Sequence, residues 1–350
     1  MRTFENSLKS SSSVAPDLAA QGTTRVSPSD SSSESFLQKM QIFYELFPYP
    51  DRPIFMRPNP NGSIDAHAGA CALLAEYGTH LSADAFQDLK LRDVRHAFST
   101  KKRIALIGCG TDEPLLFRIL HPHNDIVGID LSLRSIRRAQ RKLQWHRLRP
   151  VEFVHGEAHS ALGAGALGVF DHIQCFGVLH HQPNPRDLLS AMSAALNTNG
   201  TLRLMIYSRT GRRLERGIQK KYRPLAMSQR AFTLTSLRLF LWRLFLPFFA
   251  KKTLSQRFRY IGFSRARIAD AFLHPSDHPL SLKDTLRWAE AEGLQLVYHR
   301  AKSYERGLIC SHANVHSPVQ TLIDEEENGN ISSNIVLVFK KVGTHTWMSN

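Results

Sequence analysis

The sequence predicts an α/β protein built on a Rossmann-like, mostly parallel sheet. Three observations carry this reading. Runs of β-forming residues alternate with helical patterns from Ile104 to Tyr207, a glycine turn (Gly108-Cys109-Gly110) follows the first run, and Asp130 closes the second run twenty residues past Gly110. Strands alternating with helices pair in parallel with helices on both faces. Ligands of such sheets bind off the carboxyl ends of the strands.

The first unit is RIALIGCGTDEPLLFRILHPHNDIVGIDLS, residues 103–132. Ile104-Ala105-Leu106-Ile107 reads as a strand, Glu113 to Leu120 as a helix and Ile126 to Ile129 as a second strand. Gly108 and Gly110 allow a sharp turn and let a ligand lie against bare peptide. The helix behind the loop aims its free N–H groups at the same place. Ser132 can cap a helix from Leu133 to Arg147, with Leu133, Ile136, Ala139 and Leu143 as its buried stripe. Residues 132–149 hold six arginines, one lysine and no acid, a pattern that usually marks a solvated face. A third strand, Val151 to Val154, leads to Gly156-Glu157-Ala158. The fourth is Phe170 to Phe176, followed by Gly177-Val178-Leu179-His180-His181. A helix from Arg186 to Leu196, a turn at Asn197-Thr198-Asn199-Gly200 and a fifth strand, Thr201 to Tyr207, complete the run. Two further strands, Leu294 to Tyr298 and Asn334 to Phe339, lie beyond an insertion. The acidic stretch 324–327 between them reads as part of a surface loop.

Composition sets outer limits. The chain has 350 residues, ample for a substantial core, and a net charge of +15. Cys71, Cys109, Cys175 and Cys310 have no metal or disulfide spacing, which points to a reducing, cytoplasmic compartment. No uncharged apolar run reaches the length of a membrane span, and the serine-rich start is not a secretory signal. Residues 1–35 read as disordered. Residues 36–98 form a helical cover around FYELFPYP, whose aromatics Tyr44, Phe47 and Tyr49 are too many for a free linker. That segment either pins the N-terminus to the core or covers a ligand. The core spans 99–208, a basic helical insertion 209–292 and the closing strands 293–342.

The loop chemistry selects a ligand class. A dinucleotide fingerprint wants a small residue where Glu113 stands, and a carboxylate there would repel a pyrophosphate. S-adenosylmethionine has no phosphate and carries a positive sulfonium. Asp130 can accept hydrogen bonds from both hydroxyls of a ribose. Glu157 can meet an adenine amino group. His180 and His181 follow the fourth strand, where either can serve as a base or simply pack. Tyr207 is a weaker candidate of the same kind. His274 and His278 have a ligand-like spacing, but no third metal ligand is identifiable from the sequence.

These stretches (IALIGCGTDE, IVGIDLS, VEFVHGEA, FDHIQCFGVLHHQPNP and LNTNGTLRLMIYS) resemble the core of class I S-adenosylmethionine-dependent methyltransferases. More narrowly, FYELFPYP and AFLHPSDHPLSL are similar to segments of the bacterial methyltransferases that sometimes carry tetratricopeptide repeats, although no such repeat period is visible. The resemblance implies a seven-stranded sheet with the last strand antiparallel and a helical insertion after the fifth. It implies that Gly108, Cys109 and Gly110 approach the methionine part of the cofactor, Asp130 the ribose, Glu157 and Ala158 the adenine, and that Phe176 lies along it. Asp112 stands where that family's third loop glycine is common, and Glu157 where aspartate is more usual.

The insertion is the most individual part. From 216 to 269 there are thirteen Lys and Arg and no Asp or Glu, so this stretch holds +13 of the +15. Within it, LRLFLWRLFL (237–246) is apolar almost all round, and ten residues make about 15 Å of helix, too short to span a bilayer. It reads as a buried lid helix with basic flanks, or as an interfacial helix on an anionic membrane. Nucleic acid fits its apolar character least well. The sequence thus points to a methyltransferase acting on a small or lipid-like molecule. An RNA methyltransferase and a cofactor-binding membrane-docking module without turnover are the alternatives. Its oligomeric state is open.

Overall fold

The computed structural model describes residues 28–56, 101–209, 265–303, 307–312, 318–331 and 334–342, together with 212, 216, 217, 219 and 220. The expected tail before Pro28, residues 57–98 of the expected cover and most of the basic stretch, including 237–246, lie outside the described residues.

Ile104 to Ile107 of β1 (Arg103–Ile107) are fully buried, as a strand covered on both faces must be. β1 pairs in parallel with β2 (Asp125–Asp130) on one side and with β4 (Phe170–Phe176) on the other. β3 (Glu152–His155) and β5 (Leu196–Ile206) extend the sheet outward, both parallel. β6 (Leu294–Ser303), β7 (Gly307–His312) and β8 (Ile335–Lys341) complete the order β3-β2-β1-β4-β5-β8-β6-β7. β8 runs antiparallel between β5 and β6. The seven-stranded sheet with its last strand antiparallel is therefore present. β7 is an eighth strand, antiparallel to β6 on the outer edge. The chain leaves β1 toward β3, then crosses back to β4, so its topological switch point opens between β1 and β4.

Local sequence explains the elements. Ser132 caps the helix Leu133–Trp145, its Oγ accepting from Ser135 N–H at 3.1 Å. Ser281 does the same for Leu282–Ala291. The cover opens on a helix, Pro28–Leu46, so residues 28–35 are helical where the sequence suggests disorder.

Three readings change. Asn197 to Gly200 belong to β5, where the pairing jumps from Phe170↔Leu196 to His172↔Thr201. The turn-forming residues make a bulge, with Asn199 at φ 66°, because the strand resumes its ladder directly afterwards. The acidic connection before β8 holds β7 and the helix Pro318–Glu327 instead of a surface loop. Glu325 and Glu326 are buried in it. Glu326 accepts from Leu282 N–H at 2.7 Å and Arg209 N–H at 3.4 Å, and Glu325 accepts from Ser303 Oγ. Glu326 thus satisfies backbone donors on either side of the basic stretch, and Glu325 a side-chain hydroxyl on β6.

The third change concerns the basic helix Leu133–Trp145, which is a docking face as well as a solvated one. Arg134 donates to the Glu45 backbone and side chain, and Arg138 to the carbonyls of Asp51 and Arg52. Lys142 is fully buried and ion-pairs with Asp112, which also meets Arg52 at 3.4 Å. The residue in place of the loop's third glycine therefore anchors a clamp joining the glycine loop, the basic helix and the N-terminal cover.

Asp112→Ala is expected to strand the buried Lys142 ammonium and destabilise the protein by about 3 kcal/mol. Adding Lys142→Met should restore most of that loss, as read by denaturant unfolding. Purely additive losses in the double variant would contradict the pairing.

Candidate active site at the carboxyl ends of the strands

Gly108, Asp130, Glu157, His180 and Tyr207 all follow the carboxyl ends of parallel strands, as the sequence requires. Gly108 and Gly110 adopt positive φ, 62° and 55°. A Cβ on Gly108 would stand 2.3 Å from Val178 Cγ2, and one on Gly110 would stand 2.5 Å from the Tyr49 carbonyl oxygen. The bare peptide at Gly110 is thus used first by the cover segment. Tyr49 O also accepts from Thr111 N–H at 3.1 Å, and Pro50 O accepts from Thr111 Oγ1.

Asp130 organises the loop. Its Oδ2 accepts from Gly110 N–H at 2.7 Å and its Oδ1 from Ser132 N–H at 2.8 Å. Each oxygen retains lone-pair capacity for a further donor. Burial raises this carboxyl to about 6 against the opposing pull of those hydrogen bonds. Cys109 sits beneath, its thiol buried and raised well above its usual range, mainly by burial. Its N–H donates to Ile129 O. Cys109 contributes backbone, not a thiolate.

Glu113 is raised to about 8, mainly by burial, and accepts from Gln174 Nε2 at 3.3 Å. It is largely protonated at neutral pH, so it repels a phosphate less than its sequence position suggests. Gln174 in turn receives a hydrogen bond from buried Arg203, whose guanidinium lies 4.7 Å from the Phe176 ring centroid. Glu157 stands past β3 but spends both oxygens capping the helix Ala158–Gly163, through His159 N–H, Ser160 N–H and Ser160 Oγ. Ala158, the first residue of that helix, is buried beside it.

The two histidines differ in what their partners require. His180 Nδ1 accepts from Tyr207 N–H at 3.3 Å, which leaves the proton on Nε2. His181 Nδ1 faces the Ser276 carbonyl at 2.6 Å and so carries the proton, which leaves a lone pair on Nε2. Both Nε2 atoms are buried without a hydrogen-bond partner. His181 is lowered to about 4, mainly by burial, and is neutral near pH 7. Of these two, only His181 can act as an acceptor or base. Tyr207 stacks on His180 at 3.6 Å, carries the Arg212 guanidinium 3.6 Å from its ring centroid and donates to Asp270 at 3.4 Å. Burial holds its phenol neutral, well above its usual range.

The structure adds residues to this corner. Tyr44 Oη lies 3.0 Å from His274 Nε2, and His274 stacks on His181 with centroids 3.7 Å apart. Asp270 lies beside them, raised to about 6 by burial. Tyr44 was visible as one aromatic too many for a linker. Asp270 had a signal too, since it is the first acid after the acid-free stretch from 216 to 269. His278 is exposed and does not join His274 at this site; its N–H donates to the His180 carbonyl.

The strand order and switch point define a Rossmann-like α/β domain whose candidate site lies at the carboxyl ends of its parallel strands. Comparison with known proteins sharpens this: residues 106–202 match the family described as a methyltransferase domain. The matched stretch holds the glycine loop, Asp130, Glu157 and the two histidines, and it is what this chain shares with that family. An uncharacterized protein of Synechococcus sp. is 25% identical over 286 residues, covering 79% of this chain and 63% of its own length. The solved PKMT2 of Rickettsia typhi is 16% identical with a TM-score of 0.50, covering 71% of this chain and 51% of its own. The same protein solved in complex with AdoHcy gives 15% and 0.48, over 68% and 49%. The chain therefore spans under two thirds of the curated relative and about half of the solved chains. No helix among the described residues is long and apolar enough to cross a membrane.

His121 and His172 are held at about 3 and His181 at about 4, each mainly by burial. Folded values below the unfolded value mean that the unfolded chain binds more protons, so these groups withdraw stability as pH falls from about 6.5 toward 4. Each contributes at most about 1.4 kcal/mol per pH unit. Chemical denaturation of His172→Gln across that window should show a shallower acid loss than wild type. An unchanged slope would contradict the burial of a neutral imidazole.

Proposed function

We propose that this chain transfers a methyl group from S-adenosylmethionine to a small or lipid-like acceptor. The carrying observation is the buried Asp130 carboxylate, held by Gly110 and Ser132 N–H groups at the carboxyl end of β2 with lone pairs to spare. The residues fit the cofactor: Asp130 would take the ribose hydroxyls, the positive-φ loop Gly108-Cys109-Gly110 the methionine part, Ala158 and the capping Glu157 the adenine side, with Phe176 beside it. When bound, the cofactor supplies a methyl carbon on a positive sulfur, which keeps the bonding pair as the acceptor's lone pair forms the new bond. No pyrophosphate has to be accommodated, so a loop bearing Asp112 and Glu113 is tolerated.

The protein's part is placement and exclusion of water. The cover segment, clamped through Arg52, Asp112 and Lys142, closes over the glycine loop and brings Tyr44 and Tyr49 to the site. Alignment of acceptor, methyl and sulfur supplies most of the acceleration. His181 offers a neutral lone pair to an acceptor hydroxyl or thiol, and His180 offers an N–H. The apolar, basic stretch 216–269 supports an acceptor with an apolar body and an anionic or membrane-borne origin.

Two tests follow. Methyl-labelled S-adenosylmethionine incubated with the full chain and cell extract should label the lipid or small-molecule fraction. Label confined to RNA, or absent from every fraction while the cofactor binds, would contradict the acceptor assignment. Cofactor affinity should weaken as pH falls below about 6, where Asp130 takes a proton and loses acceptor capacity, by up to about tenfold per unit. Affinity independent of pH down to 4.5 (roughly the unperturbed carboxyl range) would mean that Asp130 does not hold the ribose.

A further inference from the structure

His181, Asp270 and His274 come from two segments far apart in sequence. His181 closes the turn Leu179–His181 after β4, and the others lie on the turn Ala269–Leu273 and just beyond it. One ligand atom from each lies within 4.8 Å of the other two. His181 is 3% exposed, and its Nε2 has no hydrogen-bond partner. Its Nδ1 meets the Ser276 carbonyl at 2.6 Å, while His274 Nδ1 accepts from Ser276 N–H at 3.2 Å. Both Nδ1 atoms thus face the backbone of one residue, Ser276, and both Nε2 atoms lie on the opposite side of their rings, which stack with an inclination of 25°. A carbonyl on Nδ1 is the arrangement that fixes a metal-binding imidazole in its tautomer and orientation. Tyr44 Oη, 3.0 Å from His274 Nε2, and Tyr207 Oη, 3.4 Å from Asp270 Oδ2, place two phenols around the same point.

We propose that His181 Nε2, His274 Nε2 and the Asp270 carboxylate bind a divalent first-row cation, zinc(II) in the first instance, beside the methyl-acceptor position. Two imidazoles and one carboxylate form a borderline donor set that suits this class of ion and leaves positions open. Ligation turns the two rings out of their near-parallel stack so that both Nε2 lone pairs converge, moves the His274 proton to Nδ1 and gives up the bonds from Ser276 N–H and to Tyr44 Oη. Tyr44 then stands next to the cation as a further oxygen donor or as a hydrogen-bond partner to what binds there. The open position fits an acceptor hydroxyl or thiol. With the His181 lone pair on the cation, the cation replaces His181 as the activating group: an acceptor bound through oxygen or sulfur releases its proton to water more readily, which leaves the nucleophilic pair in place. This rests on the methyltransferase reading for its purpose, but the cation site itself does not.

The test uses the full chain, freed of metal by a chelator and titrated with cobalt(II), whose visible absorption reports ligand number, followed by displacement with zinc(II). One equivalent should bind with the absorption of a low-coordinate nitrogen and oxygen site, and zinc(II) should displace it. Affinity should fall at least about a hundredfold in His181→Gln, His274→Ala and Asp270→Asn, and not in His278→Ala, by the scale of losses at metal sites. Calorimetric binding of S-adenosylmethionine to each variant shows that it is folded. Absence of cobalt(II) binding to wild type that still binds the cofactor overturns the cation site and leaves the methyltransferase reading intact. Equal loss in His278→Ala also overturns it. Cation binding without cofactor binding overturns the methyltransferase reading and leaves the site.

Discussion

The Asp130 carboxylate is the constraint on which the rest of the site depends. It ends β2, so its position is set by a strand buried between β1 and β3. One oxygen holds the glycine loop after β1 and the other holds the start of the helix that Ser132 caps. The carboxylate therefore fixes three backbone elements to one another before any ligand arrives. A group kept this deep, yet given only two donors of its own, is arranged for further donors.

Around that fixed point, the N-terminal cover acts as part of the site. Gly110 is bare because the Tyr49 carbonyl needs the space, and Asp112 is acidic because Lys142 is buried beneath it. The basic helix Leu133–Trp145 receives the cover through backbone carbonyls as well as charges. Backbone acceptors make the docking depend on the path of the chain more than on its side chains. On the far side of the switch point, His180, His181, Tyr207, Tyr44, Asp270 and His274 form a polar corner in a buried setting. Orphaned nitrogens there are expensive unless they meet a ligand.

What the sequence made legible follows from locality. The glycine loop, Asp130, the Ser132 cap and the alternation of strands and helices are short-range patterns with a direct physical reading. The methyltransferase likeness is upheld over residues 106–202, while the narrower likeness to tetratricopeptide-associated enzymes rests on its motifs alone. The features that escaped depend on distant partners. No local pattern says that Lys142 faces Asp112, or that His274 stacks on His181 instead of pairing with His278. The acidic run before β8 looks like a surface loop in the sequence for the same reason. Its Glu325 and Glu326 satisfy donors on Ser303, Leu282 and Arg209, which only the folded sheet brings near. Asn197 to Gly200 reads as a turn because a bulge uses the same backbone angles.

In the proposed reading, the loop around Asp130 binds a nucleoside ligand without a pyrophosphate. Calorimetric titration of the full chain with S-adenosylmethionine, and separately with NAD, on wild type and Asp130→Ala tests it most directly. The account predicts that the first ligand alone binds, with affinity reduced at least about tenfold in the variant, the loss expected from removing charged hydrogen bonds to the ribose. Binding of NAD, or equal affinity in Asp130→Ala, would contradict it.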